Sequence, residues 1–171
     1  MAEARKLIVG LGNVGARYAN TRHNAGFMAI EALAEALGAG AWREAKKYLW
    51  ARAGDMVLVK PTTLMNLSGE AVLALVKKYK LSPEQVVVIH DDLDLKLGTW
   101  RAKKGGGNAG HNGLKSIDAA IGPEYRRVRL GISHPREENP RMEVADWVLG
   151  RLSAPERELL DSAIREALKG L

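Results

Sequence analysis

The segment Leu7-Ile8-Val9-Gly10-Leu11 decides the fold, because an apolar, β-branched run closed by glycine is typical of a strand buried on both faces of a sheet. A second run of this kind, Val86-Val87-Val88-Ile89, lies near the middle of the chain. Neighbouring strands of this type are usually parallel, and parallel strands need crossover helices that cover both faces of the sheet. The two runs therefore predict an α/β protein.

Helical periodicity predicts the helices that cover the sheet. Apolar residues recur at helical spacing in four segments: 24–37, 68–80, 112–121 and 154–169. Asn24 is expected to cap the first helix, and Gly38 ends it. Ser153 and Glu156 form a capping box at the start of the last helix. Strands and helices alternate along most of the chain.

The remaining strands complete a mixed sheet. A hairpin is predicted from segments 48–53 and 56–59, joined at Gly54-Asp55 and ended by Pro61, and further strands are predicted at 99–103 and 128–132. The chain of 171 residues has no internal repeat and no linker-like segment. We therefore expect residues 1–171 to form a single-domain three-layer α/β sandwich, with a mixed, mostly parallel twisted sheet flanked by helices.

Composition excludes several classes of protein. A hydrophobic share of 46% and a charged share of 27% are ordinary for a globular chain and argue against disorder. The absence of cysteine excludes disulfides, a thiol nucleophile and cysteine-ligated metals. No segment approaches the roughly 20 apolar residues of a membrane span, so we expect no membrane association and a cytoplasmic location.

The positive charge is concentrated in one part of the chain. The formal net charge is +6, and residues 96–141 hold ten basic and four acidic side chains, so the rest of the chain sums to zero. Including Asp91, Asp92 and Asp94 lowers the excess of this part to +3. A phosphate-bearing partner is one interpretation, and a solvated basic face is the other.

Gly10, Gly12 and Gly15 match the dinucleotide-binding pattern G-x-G-x-x-G after a strand. The context does not fit, because residues 16–23 separate the third glycine from the next helix. No acidic residue ends a second strand at the required distance. The glycines are better explained as a bend that brings Asn13 close to a ligand. A dinucleotide-binding enzyme remains the less favoured alternative.

His23 is the best candidate for a general base in the polar cluster of residues 18–24, because imidazole titrates near neutral pH. A lone histidine at a helix start is usually a cap or a surface group. Here a carboxylate of the His90-Asp91-Asp92 cluster, at the end of a strand, could orient the imidazole and raise its basicity. The same cluster could hold a metal, but adjacent strand residues point to opposite faces, so we expect none.

Two polar loops offer further site residues. Asn66 lies in the loop of residues 60–69, between a strand and a helix. The glycine-dense segment 105–113 is predicted to act as a mobile gate, and exposed amides at the start of the following helix would favour an anion. Asn13, Asn66 and Asn112 could then share one sheet edge, where any of them could stabilise an oxyanion.

Five blocks, in this order, resemble the bacterial peptidyl-tRNA hydrolase family. They are GLGNVG (10–15), YANTRHNAG (18–26), KPTTLMNLSG (60–69), HDDLDL (90–95) and GGGNAGHNGL (105–114). The segment GISHP (131–135) extends the resemblance toward the C-terminus. Five ordered blocks over more than half of the chain are far more specific than any one of them.

The resemblance implies an enzyme that hydrolyses the ester between a peptide and the 3′ ribose of tRNA, which recycles tRNA from stalled translation. It implies that His23 is the general base, that Asp91 supports it and that Asn13 favours an N-blocked aminoacyl group. The implied substrate-site residues are Tyr18, Leu64, Asn66 and Asn112, with Lys103 and Arg129 on the 5′ phosphate of tRNA.

The family likeness also carries expectations about partners. We expect peptidyl-tRNA as the partner, no cofactor, no metal and no obligate protein partner, so that the protein acts as a monomer. Water would be the nucleophile, since the chain has no G-x-S-x-G nucleophile elbow. A non-catalytic RNA-binding relative of the same fold is the alternative, because organellar members of the family serve intron splicing.

The sequence departs from the family pattern at three places. Val14 stands where proline is usual, which releases a fixed φ angle. Leu64 replaces a common aromatic residue and leaves apolar contact without stacking. Asn108-Ala109 replaces a glycine-richer pair and is expected to stiffen the gate.

Overall fold

Seven strands form one sheet in the computed structural model, which describes residues 3–171. The strands are β1 (Lys6–Gly10), β2 (Arg43–Glu44), β3 (Tyr48–Ala53), β4 (Met56–Pro61), β5 (Val86–Asp92), β6 (Trp100–Lys104) and β7 (Arg126–Gly131). Their order across the sheet is β2-β3-β4-β1-β5-β7-β6. The four central strands are parallel, and β3 and β6 run antiparallel to their neighbours. This confirms the predicted mixed sheet.

Helices cover both faces of the sheet. They are α1 (Ala25–Ala36), α2 (Ser68–Tyr79), α3 (Asn112–Ile121), α4 (Pro135–Glu138), α5 (Val144–Val148) and α6 (Ala154–Leu168). One hydrophobic cluster joins the sheet to α1 and α6, and a second joins it to α2 and α3. The α/β sandwich of three layers is therefore confirmed. Among the helices of residues 3–171, none is long and apolar enough to cross a membrane.

The central strand β1 shows why the sequence adopts this arrangement. Ile8 packs into the cluster with α1 and α6, whereas Leu7 and Val9 pack into the cluster with α2 and α3. All three side chains are fully buried. Since burial of such a side chain contributes about 1.5–3 kcal/mol, a continuous apolar run is stable only between two layers of helices.

The glycines after β1 serve close packing rather than nucleotide binding. A Cβ on Gly10 would collide with the carbonyl oxygen of Gly26 in α1, and one on Gly12 would overlap the ring of Phe27. The amide of Phe27 donates to the carbonyl of Leu11 at 3.1 Å, so this amide in the first turn of α1 already has a partner. These contacts leave no place for a pyrophosphate here. Only the third glycine of the pattern has a positive φ that bends the loop.

Two local expectations need correction. Asn24 precedes α1, but its side chain does not cap the helix. The short strand β2 and the short helices α4 and α5 were not predicted, because elements of two to five residues are too brief to show a periodicity. The capping box of α6 is confirmed: Ser153 Oγ accepts from the amide of Glu156, and the Glu156 carboxylate accepts from the amide of Ser153.

Gly26→Ala should destabilise the protein, because the new Cβ would meet the carbonyl oxygen of Ile89 and main-chain atoms of Leu11, which cannot move independently. Overpacking of this kind costs about 1–3 kcal/mol. Gly40→Ala is the control, since the nearest atom to its Cβ lies 4.0 Å away. Urea unfolding should show a loss for Gly26→Ala and a change below about 0.5 kcal/mol for Gly40→Ala. Equal stability of the two variants would contradict the close approach.

Candidate active site

A cavity of about 580 Å³ opens at the carboxyl ends of the parallel strands β1 and β5. Asn13 follows β1, and His23 precedes α1. Residues 90–94 end β5, and residues 108–112 lead into α3. The helix α5 and the residue after it close one side. The parallel strands thus bring loops from distant parts of the chain to one edge, which is where ligand sites of α/β folds are expected.

Asp91 lies at the centre of this site and binds two imidazoles. Its Oδ2 is 2.8 Å from Nδ1 of His23, and its Oδ1 is 2.9 Å from Nε2 of His111. The carboxylate is buried, with 2% of its side chain exposed. Each oxygen therefore has a hydrogen-bond donor, which a buried carboxylate requires.

The hydrogen bonds define which nitrogen of each imidazole carries a proton. Nδ1 of His111 accepts from the amides of Gly113 and Leu114, at 3.1 and 3.3 Å, so the proton of this ring is on Nε2 and points at Asp91. His23 donates its Nδ1 proton to the other oxygen of Asp91. The Nε2 lone pair of neutral His23 therefore remains available as a base beside the cavity.

The electrostatics agree with this arrangement. Burial of His23 lowers its pKa, but the charge and hydrogen bond of Asp91 outweigh burial and raise the pKa above its usual value. Burial of Asp91 would raise the pKa of that carboxyl, but the two imidazoles hold it well below its usual range. His23 is thus a strengthened base beside a permanently ionised carboxylate.

Asp91 and the two histidines have the spacing of a metal site but lack the free lone pairs that metal binding requires. Ligand atoms of His23, Asp91 and His111 lie within 4.8 Å of one another. A metal at His111 would need the lone pair of Nε2, but that nitrogen keeps its proton because Nδ1 accepts two amides. The donor set fits a hydrogen-bonded base better than a cation. The adjacent Asp92 does not join it, since it binds Arg129 instead.

Asn24 shapes the site in a way that the sequence did not indicate. Its side-chain oxygen accepts from the amide of Asn13 at 2.8 Å, and its side-chain nitrogen donates to the carbonyl of Asn13 at 2.9 Å. Asn24 is almost fully buried. The predicted helix cap is thus a clamp that holds the main chain of Asn13 beside His23.

The glycine-rich segment 105–110, which we call the gate loop, is held by hydrogen bonds at three points. The amide of Gly105 donates to the carbonyl of Tyr125 at 3.0 Å. Arg127 donates Nη1 to the carbonyl of Gly107 at 2.6 Å, and Asn108 donates to Asp118 on α3 at 3.2 Å. Ala109 adopts a positive φ of 49°, which costs a residue with a Cβ more than it costs glycine. Compared with a glycine-richer pair, Asn108 therefore adds a side-chain hydrogen bond, and Ala109 adds backbone strain.

His111 corrects one expectation about the gate loop. We expected open amides at the start of α3 to bind an anion. Instead, His111 is the N-cap residue, and its ring accepts from the amides of Gly113 and Leu114. One side chain thus caps α3 and supports Asp91.

An apolar wall forms part of the cavity lining that also includes His23. It consists of Val144, Val148 and Leu149, in and beside α5. Arg22 holds α5 in place. Its guanidinium carbon lies 3.7 Å from the centre of the Trp147 ring. The guanidinium also donates to the Trp147 carbonyl and to the carboxylate of Glu156. Since Arg22 directly precedes His23, the wall and the base are held by the same turn of chain.

The other predicted site residues lie at different distances from the cavity. Asn112 lines it together with Asn13, His23 and Asp91. The exposed Leu64 and Asn66 lie in the loop after β4, and the half-buried Tyr18 lies in the loop after β1; none of the three lines the cavity. Lys103 and Arg129 line a second, small cavity beneath the gate loop. Arg129 donates Nε to Asp92 at 2.8 Å.

Three residues beside the site were given no site role from the sequence: His111, Asn24 and Arg22. In the sequence, His111 belongs to a glycine-rich segment and has no pattern of its own. Its position directly before a predicted helix is the signal that could have suggested a cap. No local pattern indicates that Arg22 reaches Trp147, because the contact spans 125 residues.

Comparison with known proteins gives consistent results. The sequence model of the family described as peptidyl-tRNA hydrolase matches residues 7–171. A peptidyl-tRNA hydrolase of Nitratidesulfovibrio vulgaris is 50% identical over 96% of this chain and 87% of the relative. One of Neisseria meningitidis is 46% identical over 100% and 91%. The crystal structure of the Acinetobacter baumannii peptidyl-tRNA hydrolase superimposes with a TM-score of 0.89, at 40% identity over 99% of this chain and 88% of that chain.

Asp91→Asn should lower the pKa of His23, because it removes the charge that opposes burial. In the wild type, the His23 pKa lies above its usual value, and in the variant burial should bring it below the wild-type value. An NMR titration of the His23 ring protons measures both. Asp94→Asn is the control, since Asp94 also lines the cavity but has no hydrogen bond to His23. An unchanged His23 pKa in Asp91→Asn would contradict the pairing.

Proposed function

The chain belongs to the peptidyl-tRNA hydrolase family, and on that premise we propose that His23 is the general base of its ester hydrolysis. Like its relatives, the protein is a hydrolase that acts on the carboxylic ester of peptidyl-tRNA. One observation carries the proposal: Asp91 accepts the Nδ1 proton of His23 at 2.8 Å, which leaves Nε2 as an oriented base at the cavity.

The reaction needs only water as a nucleophile. Nε2 of His23 takes a proton from a water molecule as the water oxygen attacks the ester carbonyl. The resulting tetrahedral intermediate collapses when the bond to the 3′ ribose oxygen breaks, and His23 returns the proton to that oxygen. The products are a free peptide carboxylic acid and tRNA with a 3′ hydroxyl. No bond to the protein forms at any step.

Asp91 stabilises the protonated His23 that forms during the attack. Its charge is retained throughout, as expected of a buried carboxylate that already has two donors. His111 does not reach the reacting atoms in this mechanism. It is a positioning residue that holds the second oxygen of Asp91 and keeps the carboxylate aimed at His23.

The oxyanion requires a hydrogen-bond donor near His23, an effect worth about 2.7–4 kcal/mol per donor. Asn13 and Asn112 line the cavity with His23, which supports either of them in this role. Asn24 binds both main-chain polar groups of Asn13, so the side-chain amide of Asn13 is the group that would contact substrate in the cavity. We assign to Asn13 the recognition of an N-blocked aminoacyl group. Asn66 is proposed to act farther along the substrate.

The tRNA portion is proposed to bind outside the cavity. Lys103 and Arg129 would hold its 5′ phosphate, since both are cations at the edge of the gate loop. Asp92 binds only Nε of Arg129, which leaves the two terminal nitrogens for phosphate. The peptide would lie against the apolar wall of α5, with Tyr18 and Leu64 as contacts from loops outside the cavity.

The remaining expectations complete the proposal. We propose that residues 1–171 form one catalytic domain that acts as a monomer in the cytoplasm, with no cofactor, no metal and no obligate protein partner. The non-catalytic RNA-binding alternative is not favoured, because the oriented base and its carboxylate are assembled as hydrolysis requires. The dinucleotide alternative is not favoured either, given the close packing of the first two glycines of the pattern against α1.

His23→Ala should abolish turnover of an N-acetyl-aminoacyl-tRNA, because no other group in the mechanism accepts the proton from water. Release of free tRNA measures the rate, and the melting temperature of the variant reports its fold. In a separate test, the wild-type enzyme should keep its rate after exhaustive EDTA treatment, because the proposed mechanism uses no metal. A folded variant that retains more than a tenth of the wild-type rate would rule out His23 as the base.

Lys103→Ala should raise KM and leave kcat nearly unchanged, because it removes one phosphate contact far from the ester. It should also flatten the dependence of log KM on log salt, by a slope of about 0.7–0.9. Lys77→Ala on α2 is the matched control, since Lys77 is an exposed lysine outside both cavities. The same salt slope in Lys103→Ala and Lys77→Ala would place the phosphate elsewhere.

A further inference from the structure

Two buried polar atoms beneath the gate loop have no hydrogen-bond partner. They are Nε2 of His90 and Nε of Arg127, among only four such side-chain atoms in the part of the chain that the structure describes. Both residues line the same cavity of about 30 Å³, together with Gly107 of the gate loop. Because an unpaired buried polar group costs about 1–3 kcal/mol, two of them at one cavity point to a bound group that pairs with both.

The sheet register brings the two side chains together. In the parallel pair of β5 and β7, Val88 lies opposite Arg127 and His90 lies opposite Arg129. His90 and Arg127 are therefore diagonal neighbours on one face of the sheet, the face that the gate loop covers. In a parallel pair, a strand spacing of about 4.8 Å and a rise of about 3.3 Å per residue place diagonal neighbours about 8 Å apart at the main chain, a distance that the two side chains and one small group can span.

The two atoms have opposite hydrogen-bonding roles. His90 donates its Nδ1 proton to the carbonyl of Asp91 at 2.8 Å, so its Nε2 is an acceptor. Burial, with the neighbouring His111, lowers the pKa of His90 to about 4, which keeps the ring neutral at physiological pH. Nε of Arg127 is always a donor. The bound group must therefore donate to one atom and accept from the other.

From this complementarity we infer that a buried water molecule bridges His90 Nε2 and Arg127 Nε and anchors the gate loop to the catalytic strand β5. A water donates to the imidazole and accepts from the guanidinium, and the cavity exceeds the 10–15 Å³ or so that one water needs. Lys103 and Arg129 also line this cavity and would attract an anion, but an anion without a proton cannot donate to Nε2 of His90 and would leave that atom unpaired. A metal cation would satisfy His90 but would face a guanidinium.

The bridge has a mechanical consequence for the loop. Arg127 donates Nη1 to the Gly107 carbonyl and Nη2 to Asp118. The water adds a third hydrogen bond, through Nε, which further restricts the movement of the Arg127 side chain and of the loop bound to it. The gate loop leads directly into His111 and Asn112. His90 is thus a positioning residue that acts through the water and Arg127 on the part of the site that follows the loop. The effect on catalysis rests on the proposed function, whereas the water itself does not.

The water can be tested on the wild-type protein at neutral pH. Long-range proton–nitrogen NMR spectra should show His90 protonated at Nδ1, with its Nε2 resonance shifted from the value of a bare imidazole nitrogen toward that of a hydrogen-bonded one. Cross-relaxation should reveal a slowly exchanging water next to the His90 ring protons. A bare Nε2 resonance without such a water would overturn the proposal, and this test needs no variant to fold.

The anchoring role is tested with His90→Phe, which keeps an aromatic ring but removes the acceptor Nε2 and also the Nδ1 donor to the Asp91 carbonyl. The second bond joins neighbouring residues of β5 and does not contact the gate loop. Amide hydrogen exchange in residues 105–110 should accelerate roughly tenfold, the effect of losing one good hydrogen bond. Val88→Ala is the matched control, since it also weakens β5 on the same face but removes no polar atom. If His90→Phe and Val88→Ala lose the same melting temperature and show the same amide exchange rates in residues 105–110, the proposal that His90 anchors the gate loop would be overturned.

Kinetics separate the anchor from a direct electrostatic role of His90. His90→Phe should lower kcat/KM several-fold and leave the pH midpoint of kcat/KM, which His23 sets, unchanged. A shifted midpoint would mean that His90 acts on Asp91 and His23 instead, which contradicts the proposal. If the NMR and exchange results hold but the wild type releases no tRNA, the proposed function fails and the water bridge stands.

Discussion

A buried carboxylate has to find a donor for each of its oxygens, and this requirement at Asp91 organises the active site. One donor is Nδ1 of His23, from the turn before α1, and the other is Nε2 of His111, from the start of α3. The same bonds select the tautomer of each ring, and they leave Nε2 of His23 without a proton in the neutral ring that lines the cavity. The orientation of the proposed base therefore depends on how the buried charge of Asp91 is stabilised and not on His23 alone.

The surroundings of this pair are built from residues that have two tasks each. His111 caps α3 and supports Asp91, and Arg22 stacks on Trp147 while it precedes the base. Arg127 holds the gate loop and belongs to the group of cations beneath it. Such sharing couples the loops, since movement of one loop would break contacts that another loop needs. In a chain with few aromatic residues, polar side chains join these loops to the sheet.

Much of the fold could be predicted because its determinants are local. The apolar run of β1, the periodicity of α2 and the capping box of α6 each lie within a few residues, and each prediction was confirmed. The failures have a common cause. Asparagine is a common helix cap, but the side-chain amide of Asn24 binds the main chain of Asn13, eleven positions earlier, instead of the first turn of α1. α5 is too short for a pattern, and its place depends on Arg22.

The sequence by itself determined the α/β class, the order of the main elements, the resemblance to the hydrolase family and the identity of His23 and Asp91 as candidate partners. Those inferences need only apolar periodicity and the residue types of ordered motifs. Only the tertiary structure decided that His111 shares Asp91, that Asn24 clamps Asn13, and that His90 and Arg127 meet beneath the gate loop. Each of these contacts joins residues that are distant in the chain or depends on which ring nitrogen carries a proton. The long-range contacts leave no trace in local sequence, because they arise when the sheet brings separate strands and loops together. The tautomer of each ring depends on hydrogen bonds whose geometry residue types alone do not specify.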